Sequence, residues 1–305
     1  MTTMLRGAIT AIVTPFKADG ALDEESLADF VEWQIGEGID GLVPVGSTGE
    51  AVTLSLAERE RVVRITVERS AGRVPVIAGA GSNDTAVAIE TSRVLAQAGA
   101  THLLHVSPMY NKPPQRGILA HFRAIADASP VPIVVYNVPG RTASNVLPET
   151  TLALAEHPNI VAVKEASGNL AQIEQIIRNR RPGFSVLSGD DGLTLAVMAA
   201  GGEGVISVIS NVVPALCAEL VATVSRGEFA KARAIHHRLA PLIDAAFIES
   251  NPIPSKAALA LMGRMQNVLR LPLVPLDAKY VVQLTGALKA AGVQLRVSAS
   301  TEQHS

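Results

Sequence analysis

The chain has 305 residues, 48% of them hydrophobic, 18% charged and 3% aromatic, which supplies a packed core and excludes a disordered tail protein. Twenty-six Lys plus Arg against 28 Asp plus Glu leave a formal charge of −2, and with no basic stripe or Lys/Arg run nucleic acid is not expected as a partner. A single cysteine, Cys217, rules out an internal disulfide, while MTTMLRGAITAIVTPF holds no signal-peptide core and no run nears the roughly 18 apolar residues of a membrane span, so a cytoplasmic protein is expected.

Short β-branched runs fall at 8–13 (AITAIV), 41–45 (GLVPV), 74–78 (VPVIA), 102–106 (HLLHV), 132–136 (PIVVY), 160–164 (IVAVK), 185–187 (SVL) and 204–208 (GVISV). Between them lie stretches of helical periodicity at 24–36, 56–70, 84–98, 115–128, 148–156, 169–179, 193–200 and 212–225. Ser55, Asn83/Asp84 and Pro148 supply start signals. Eight strand–helix units whose strands are apolar on both faces predict a parallel sheet closed into a (β/α)₈ TIM barrel over residues 1–226. An open doubly wound sheet is the competitor, but its nucleotide loop should follow the first strand, and TPFKADG is not glycine-rich. Helical patterns alone continue at 228–246, 255–262 and 277–291, which predicts a small C-terminal helical domain over 227–305; the last residues, RVSASTEQHS, are expected to fray.

In such barrels the chemistry sits where strands end. Five of those junctions are unusually polar: GSTGE (46–50), SPMYNKPPQ (107–115), YNVPGRT (136–142), KEASGN (164–169) and SGDD (188–191). Lys164, one of seven lysines, alone terminates an apolar strand. Desolvation there lowers the amine's pKa and supplies the neutral form that attacks a carbonyl to make a Schiff base. The competing reading is a lysine reaching to the rim or paired with Glu165. Tyr136 ends the preceding strand, and neighbouring parallel strands run roughly 4.8 Å apart, so phenol and amine can share one substrate; otherwise Tyr136 merely packs. Ser47 and Thr48 put two hydroxyls between glycines where exposed N–H groups can hold a carboxylate, although such a loop is also ordinary.

Other motifs read as structural. IAGAGSND has a GxG but lacks the third glycine of a dinucleotide fingerprint, and is taken as a turn and helix cap. Asp190 and Asp191 are taken as caps of a first helical turn. His102 and His105 should face opposite sides of their strand, so no metal site is expected.

Together, GSTGE, IAGAGSN, PMYNKPPQ, YNVPGRT, KEASGN, SGDD, GVISV and ESNPIPSK resemble, in order and spacing, the dihydrodipicolinate synthase (4-hydroxy-tetrahydrodipicolinate synthase) branch of the class I pyruvate aldolase superfamily, which also contains N-acetylneuraminate lyase. The likeness spans nearly the whole chain. It implies Lys164 as the Schiff-base lysine for pyruvate, Tyr136 as a proton shuttle, and Ser47 in place of the usual threonine that links Tyr136 to a second tyrosine. That second tyrosine would be Tyr110, contributed across a dimer interface. Thr48 would bind pyruvate's carboxylate, Arg141 the carboxylate of L-aspartate 4-semialdehyde, and Gly189 and Ile206 would line the pyruvate pocket. The resemblance further implies no metal or organic cofactor, a role in lysine and diaminopimelate biosynthesis, and a homotetramer built as a dimer of dimers. Positions that carry polar effector ligands in lysine-inhibited members are apolar here (Ala51, Leu56, Val87, Met109), so weak or absent lysine inhibition is expected.

Alternatives within the superfamily are an aldolase or dehydratase acting on a sugar acid or on 4-hydroxy-2-oxoglutarate. Outside it stand a non-catalytic barrel that binds an oxo acid, and a nicotinamide-dependent oxidoreductase resting on the incomplete GxG.

Overall fold

The computed structural model describes residues 4–296. Eight strands follow the order of the sequence: β1 (Gly7–Ala11), β2 (Gly41–Val43), β3 (Ile77–Gly79), β4 (His102–Val106), β5 (Ile133–Asn137), β6 (Ile160–Glu165), β7 (Ser185–Ser188) and β8 (Gly204–Ser207). Their pairings are parallel, in the order β2-β1-β8-β7-β6-β5-β4-β3. A parallel bridge between Leu42 and Val76 joins the two ends and closes the ring. This is the expected (β/α)₈ barrel.

Helices α1 (Glu24–Gly36), α2 (Leu56–Ser70), α3 (Thr85–Gln97) and α4 (Gln115–Ala128) wrap the first half. The second half carries α5 (Pro139–Thr142), α6 (Pro148–Ala155), α7 (Leu170–Asn179), α8 (Thr194–Ala199) and α9 (Pro214–Ser225). Their starts follow the sequence signals: Ser55 and Glu58 form a reciprocal capping box on α2, Asp84 accepts from the N–H groups of Ala86 and Val87, and Pro148 opens α6. Asp84 thereby makes IAGAGSND a turn and cap, as expected. A C-terminal helical part follows as α10 (Phe229–Ala245), α11 (Ile253–Leu261) and α12 (Val281–Ala291). Apart from Arg296, the tail expected to fray lies outside the described residues.

Alternation along each strand explains the two apolar faces. Ile9, Val43, Ile77, Leu104, Val134 and Leu187 fill the barrel interior, while Ala8, Leu42, Leu103, Val135 and Val186 pack outward in the shell shared with the helices. His102 and His105 differ in setting: His105 is fully buried beside Ser92 of α3, and His102 pairs with Thr101. Burial pushes both imidazoles down, to about 4 and about 3, so both are neutral.

Boundaries differ from expectation where proline or backbone strain intervenes. The third strand starts at Ile77 rather than residue 74, since Pro75 has no N–H to give a ladder. Strand β2 ends at Val43 because Val45 turns to a φ of +50°. The four-residue helix α5, begun by Pro139, lies in what reads as a plain loop. Residues 277–291 divide into a 3₁₀ turn, Ala278–Tyr280, and α12. Among the described residues no helix is long and apolar enough to cross a membrane.

Candidate active site

Strand β6 delivers Lys164 into the barrel's mouth. The residue is 5% exposed, and it borders a cavity of about 310 Å³ that also touches Ser47, Thr48, Tyr136, Arg141 and Gly189. The stem passes close over β7's end. A Cβ on Gly189 would stand 3.1 Å from Lys164 Cγ and 2.7 Å from the Ala166 Cβ, so glycine is what lets this lysine lie there.

Burial lowers the Lys164 amine to about 8; Asp191 opposes the shift and Arg141 adds to it. With that value roughly a tenth of the amine is neutral at pH 7, against fewer than about one in a thousand for an ordinary lysine. Pairing with Glu165 is not how the charge is handled. Glu165 faces the other way, where its carboxylate accepts from Asn137 Nδ2 at 3.2 Å, Ser167 N at 2.8 Å and Gln172 Nε2 at 3.2 Å.

Tyr136 is the register partner of Lys164 in the β5–β6 ladder. The amine lies 4.2 Å from the centre of its ring, so the two groups meet at one height, as strand spacing suggests. Burial pushes the Tyr136 phenol up to about 12, with Arg141 acting against the shift. The hydroxyl therefore stays protonated at neutral pH and can both donate and accept. Arg141, on α5, borders the same cavity and donates weakly to the Asn251 carbonyl at 3.4 Å. A guanidinium fork is suited to pairing with a carboxylate.

Thr48 is buried and Ser47 exposed at the loop after β2. Two predicted residues sit apart from this group. Tyr110 is 88% exposed, with a φ of +71°, and does not border the cavity. Ile206 is fully buried in the barrel interior, and on that side Val208 borders the cavity.

One residue joined to the site was not singled out from the sequence, and a second was given a different role. Asn251, just ahead of α11, donates from Nδ2 to Thr48 Oγ1 at 2.8 Å and is 203 positions away in the chain. Only the fold brings them together. Asp191 corrects the capping assignment for one of the two aspartates. Asp190 does cap, accepting from Gly192 N at 2.8 Å. Asp191 instead is buried and accepts from Val208 N at 2.9 Å and Ile209 N at 3.1 Å, tying the loop after β7 to the loop after β8. Burial pushes its carboxyl up, against the pull of these hydrogen bonds.

A desolvated amine, a neutral phenol beside it, hydroxyls and a guanidinium around one cavity can bind a keto acid covalently and accept a second, anionic reactant. Among the described residues no three His, Cys, Asp or Glu side chains converge as metal ligands would.

Comparison with known proteins identifies the family. The dihydrodipicolinate synthetase family matches over residues 4–291. A 4-hydroxy-tetrahydrodipicolinate synthase of Syntrophus aciditrophicus is 53% identical over 270 residues, 88% of this chain and 92% of that protein. The crystal structure of dihydrodipicolinate synthase from Thermotoga maritima superposes with a TM-score of 0.93 at 46% identity, covering 95% of this chain and 99% of the other. The chloride-inhibited synthase of Acinetobacter baumannii, complexed with pyruvate, gives 0.93 at 41% identity, covering 95% and 99%.

Proposed function

The chain belongs to the dihydrodipicolinate synthetase family, and from that membership and the buried amine at its barrel mouth we infer how it works. It is a lyase-type enzyme that condenses pyruvate with L-aspartate 4-semialdehyde, the reaction of a 4-hydroxy-tetrahydrodipicolinate synthase in lysine and diaminopimelate biosynthesis. The single observation that carries the mechanism is Lys164, buried, lowered to about 8 and in register with Tyr136.

Neutral Lys164 attacks C2 of pyruvate to give a carbinolamine. Tyr136 passes a proton to the departing hydroxyl, one water leaves, and an iminium forms. Loss of a C3 proton gives the enamine, with the iminium as its own electron sink, so the route needs no metal or organic cofactor. Thr48 and the N–H groups of its loop hold the pyruvate carboxylate, beside Gly189. C3 of the enamine bonds to the aldehyde carbon, whose oxygen takes up a proton. The amino group of the second substrate then adds to C2 and expels Lys164, closing the ring.

Ser47 retains the hydroxyl needed to link Tyr136 with a second phenol. Tyr110, 88% exposed on this chain, supplies that phenol to a neighbouring subunit, and the working form is a homotetramer made of two such dimers. Ile206 supports the pocket from inside the barrel, one turn of alternation below Val208.

Arg141 receives the semialdehyde's carboxylate. Arg141→Ala is expected to raise the KM for the semialdehyde about tenfold to a hundredfold, equivalent to about 1.5–3 kcal/mol of charge-assisted hydrogen bonding, with the KM for pyruvate nearly unchanged. Steady-state kinetics with each substrate varied checks this, and equal losses for both substrates would remove Arg141 from its role.

L-lysine is expected to inhibit weakly or not at all at millimolar concentration. Val87 and Met109 offer no acid for the effector's ammonium, which would be desolvated without a partner. An inhibition curve in the millimolar range would refute this.

A further inference from the structure

Glu50 closes the GSTGE loop in a conformation that costs energy. Its φ of +54° places a non-glycine residue in the left-handed region, and its side chain is only 1% exposed. The partner that makes this burial tolerable stands 206 positions away: Lys256 of α11, wholly buried, donates to Glu50 Oε1. The same ammonium donates to the Val268 carbonyl at 2.8 Å and lies 4.2 Å from the centre of the Phe16 ring. The other carboxylate oxygen accepts from the Arg270 N–H at 3.1 Å, and the Arg270 guanidinium donates to the Thr53 carbonyl at 2.9 Å.

Asn251, just ahead of the helix that carries Lys256, reaches Thr48 directly. The C-terminal helical part therefore grips the pyruvate loop at Thr48, Glu50 and Thr53. On the barrel side, Thr14 donates to the Gly49 carbonyl at 2.7 Å.

Stability alone does not account for such a pair, because well-packed apolar residues of similar volume are often as stabilising as a buried ion pair. What the pair adds is direction. Two donors from different segments fix both oxygens of a carboxylate whose backbone is two residues from Thr48 and three from Ser47. We propose that Lys256 is a positioning residue for the pyruvate site, which holds the Ser47–Thr48 loop in its working geometry through Glu50 and gives the C-terminal helices a part in catalysis. This rests on the assignment of Thr48 to the pyruvate carboxylate.

The test is the double variant Glu50→Met/Lys256→Met, which removes both charges and leaves an apolar contact. It is expected to fold with a Tm close to that of the wild type. Its kcat/KM for pyruvate should fall about 100-fold, the scale of a small misplacement of binding groups, with the KM for pyruvate raised and the KM for the semialdehyde unchanged. A merely structural role would reduce the active fraction, lowering kcat while both KM values stay put. Glu50→Gln, which keeps shape, is measured alongside and should raise the KM for pyruvate by a smaller factor. Wild-type KM for pyruvate in either folded variant, or loss of the fold in both, would overturn the proposal. Failure of pyruvate and borohydride to label Lys164 in the wild type would instead sink the assignment of the site, whatever Lys256 does.

Discussion

Lys164→Ala is expected to lose turnover by a factor on the order of 10⁴ or more, because it removes the covalent route rather than one contact along it. Circular dichroism should show a folded barrel, since the change empties space beside an existing cavity. Lys164→Arg should be equally inactive, as a guanidinium does not give up its proton at working pH. In the wild type the sign of the pH dependence follows from burial. An amine lowered to about 8 is mostly ammonium below that value and mostly free above it, so kcat/KM for pyruvate rises with pH through about 8. An unmodified lysine would still be rising above pH 10, on the order of its reference value.

Tyr136→Phe should lower kcat by about 10²- to 10⁴-fold, the range for loss of a positioned acid–base group. The substitution is informative because phenylalanine keeps the ring that lies 4.2 Å from the Lys164 amine. Desolvation of the amine survives, and only the hydroxyl goes. Schiff-base formation and loss of the C3 proton should both slow, while the KM for pyruvate moves little, since its carboxylate is held by Thr48. Rapid-mixing measurement of imine formation separates this from a binding defect. Wild-type rates in the variant would leave Tyr136 as a packing residue.

Much of the barrel was legible because strand and helix periods differ and each strand hides both its faces. Ile9 points inward and Ala8 outward, so neither face needed a polar residue. The same logic exposed Lys164: an amine ending VAVK has no local reason to be there. Tyr136 followed from its place at the end of the neighbouring strand together with strand spacing, and the ladder pairs it with Lys164. Legibility failed where contacts join distant segments. Nothing near Thr48 announces Asn251, and nothing near Glu50 announces Lys256, because these pairs exist only once the C-terminal helices fold back on the mouth. Asp190 and Asp191 show the limit at short range. Adjacent residues point in different directions, so one caps its own turn while the other crosses to the loop after β8. The short helix α5 was missed since four residues cannot show a helical period.

Two lysines, Lys164 and Lys256, are almost wholly removed from solvent, but only Lys164 borders the cavity. Reduction with borohydride in the presence of pyruvate, followed by peptide mapping, discriminates between them. The expected result is a single reduced pyruvyl adduct on Lys164 that tracks the loss of activity. An adduct on Lys256 or on a surface lysine, or inactivation without any adduct, would contradict the account.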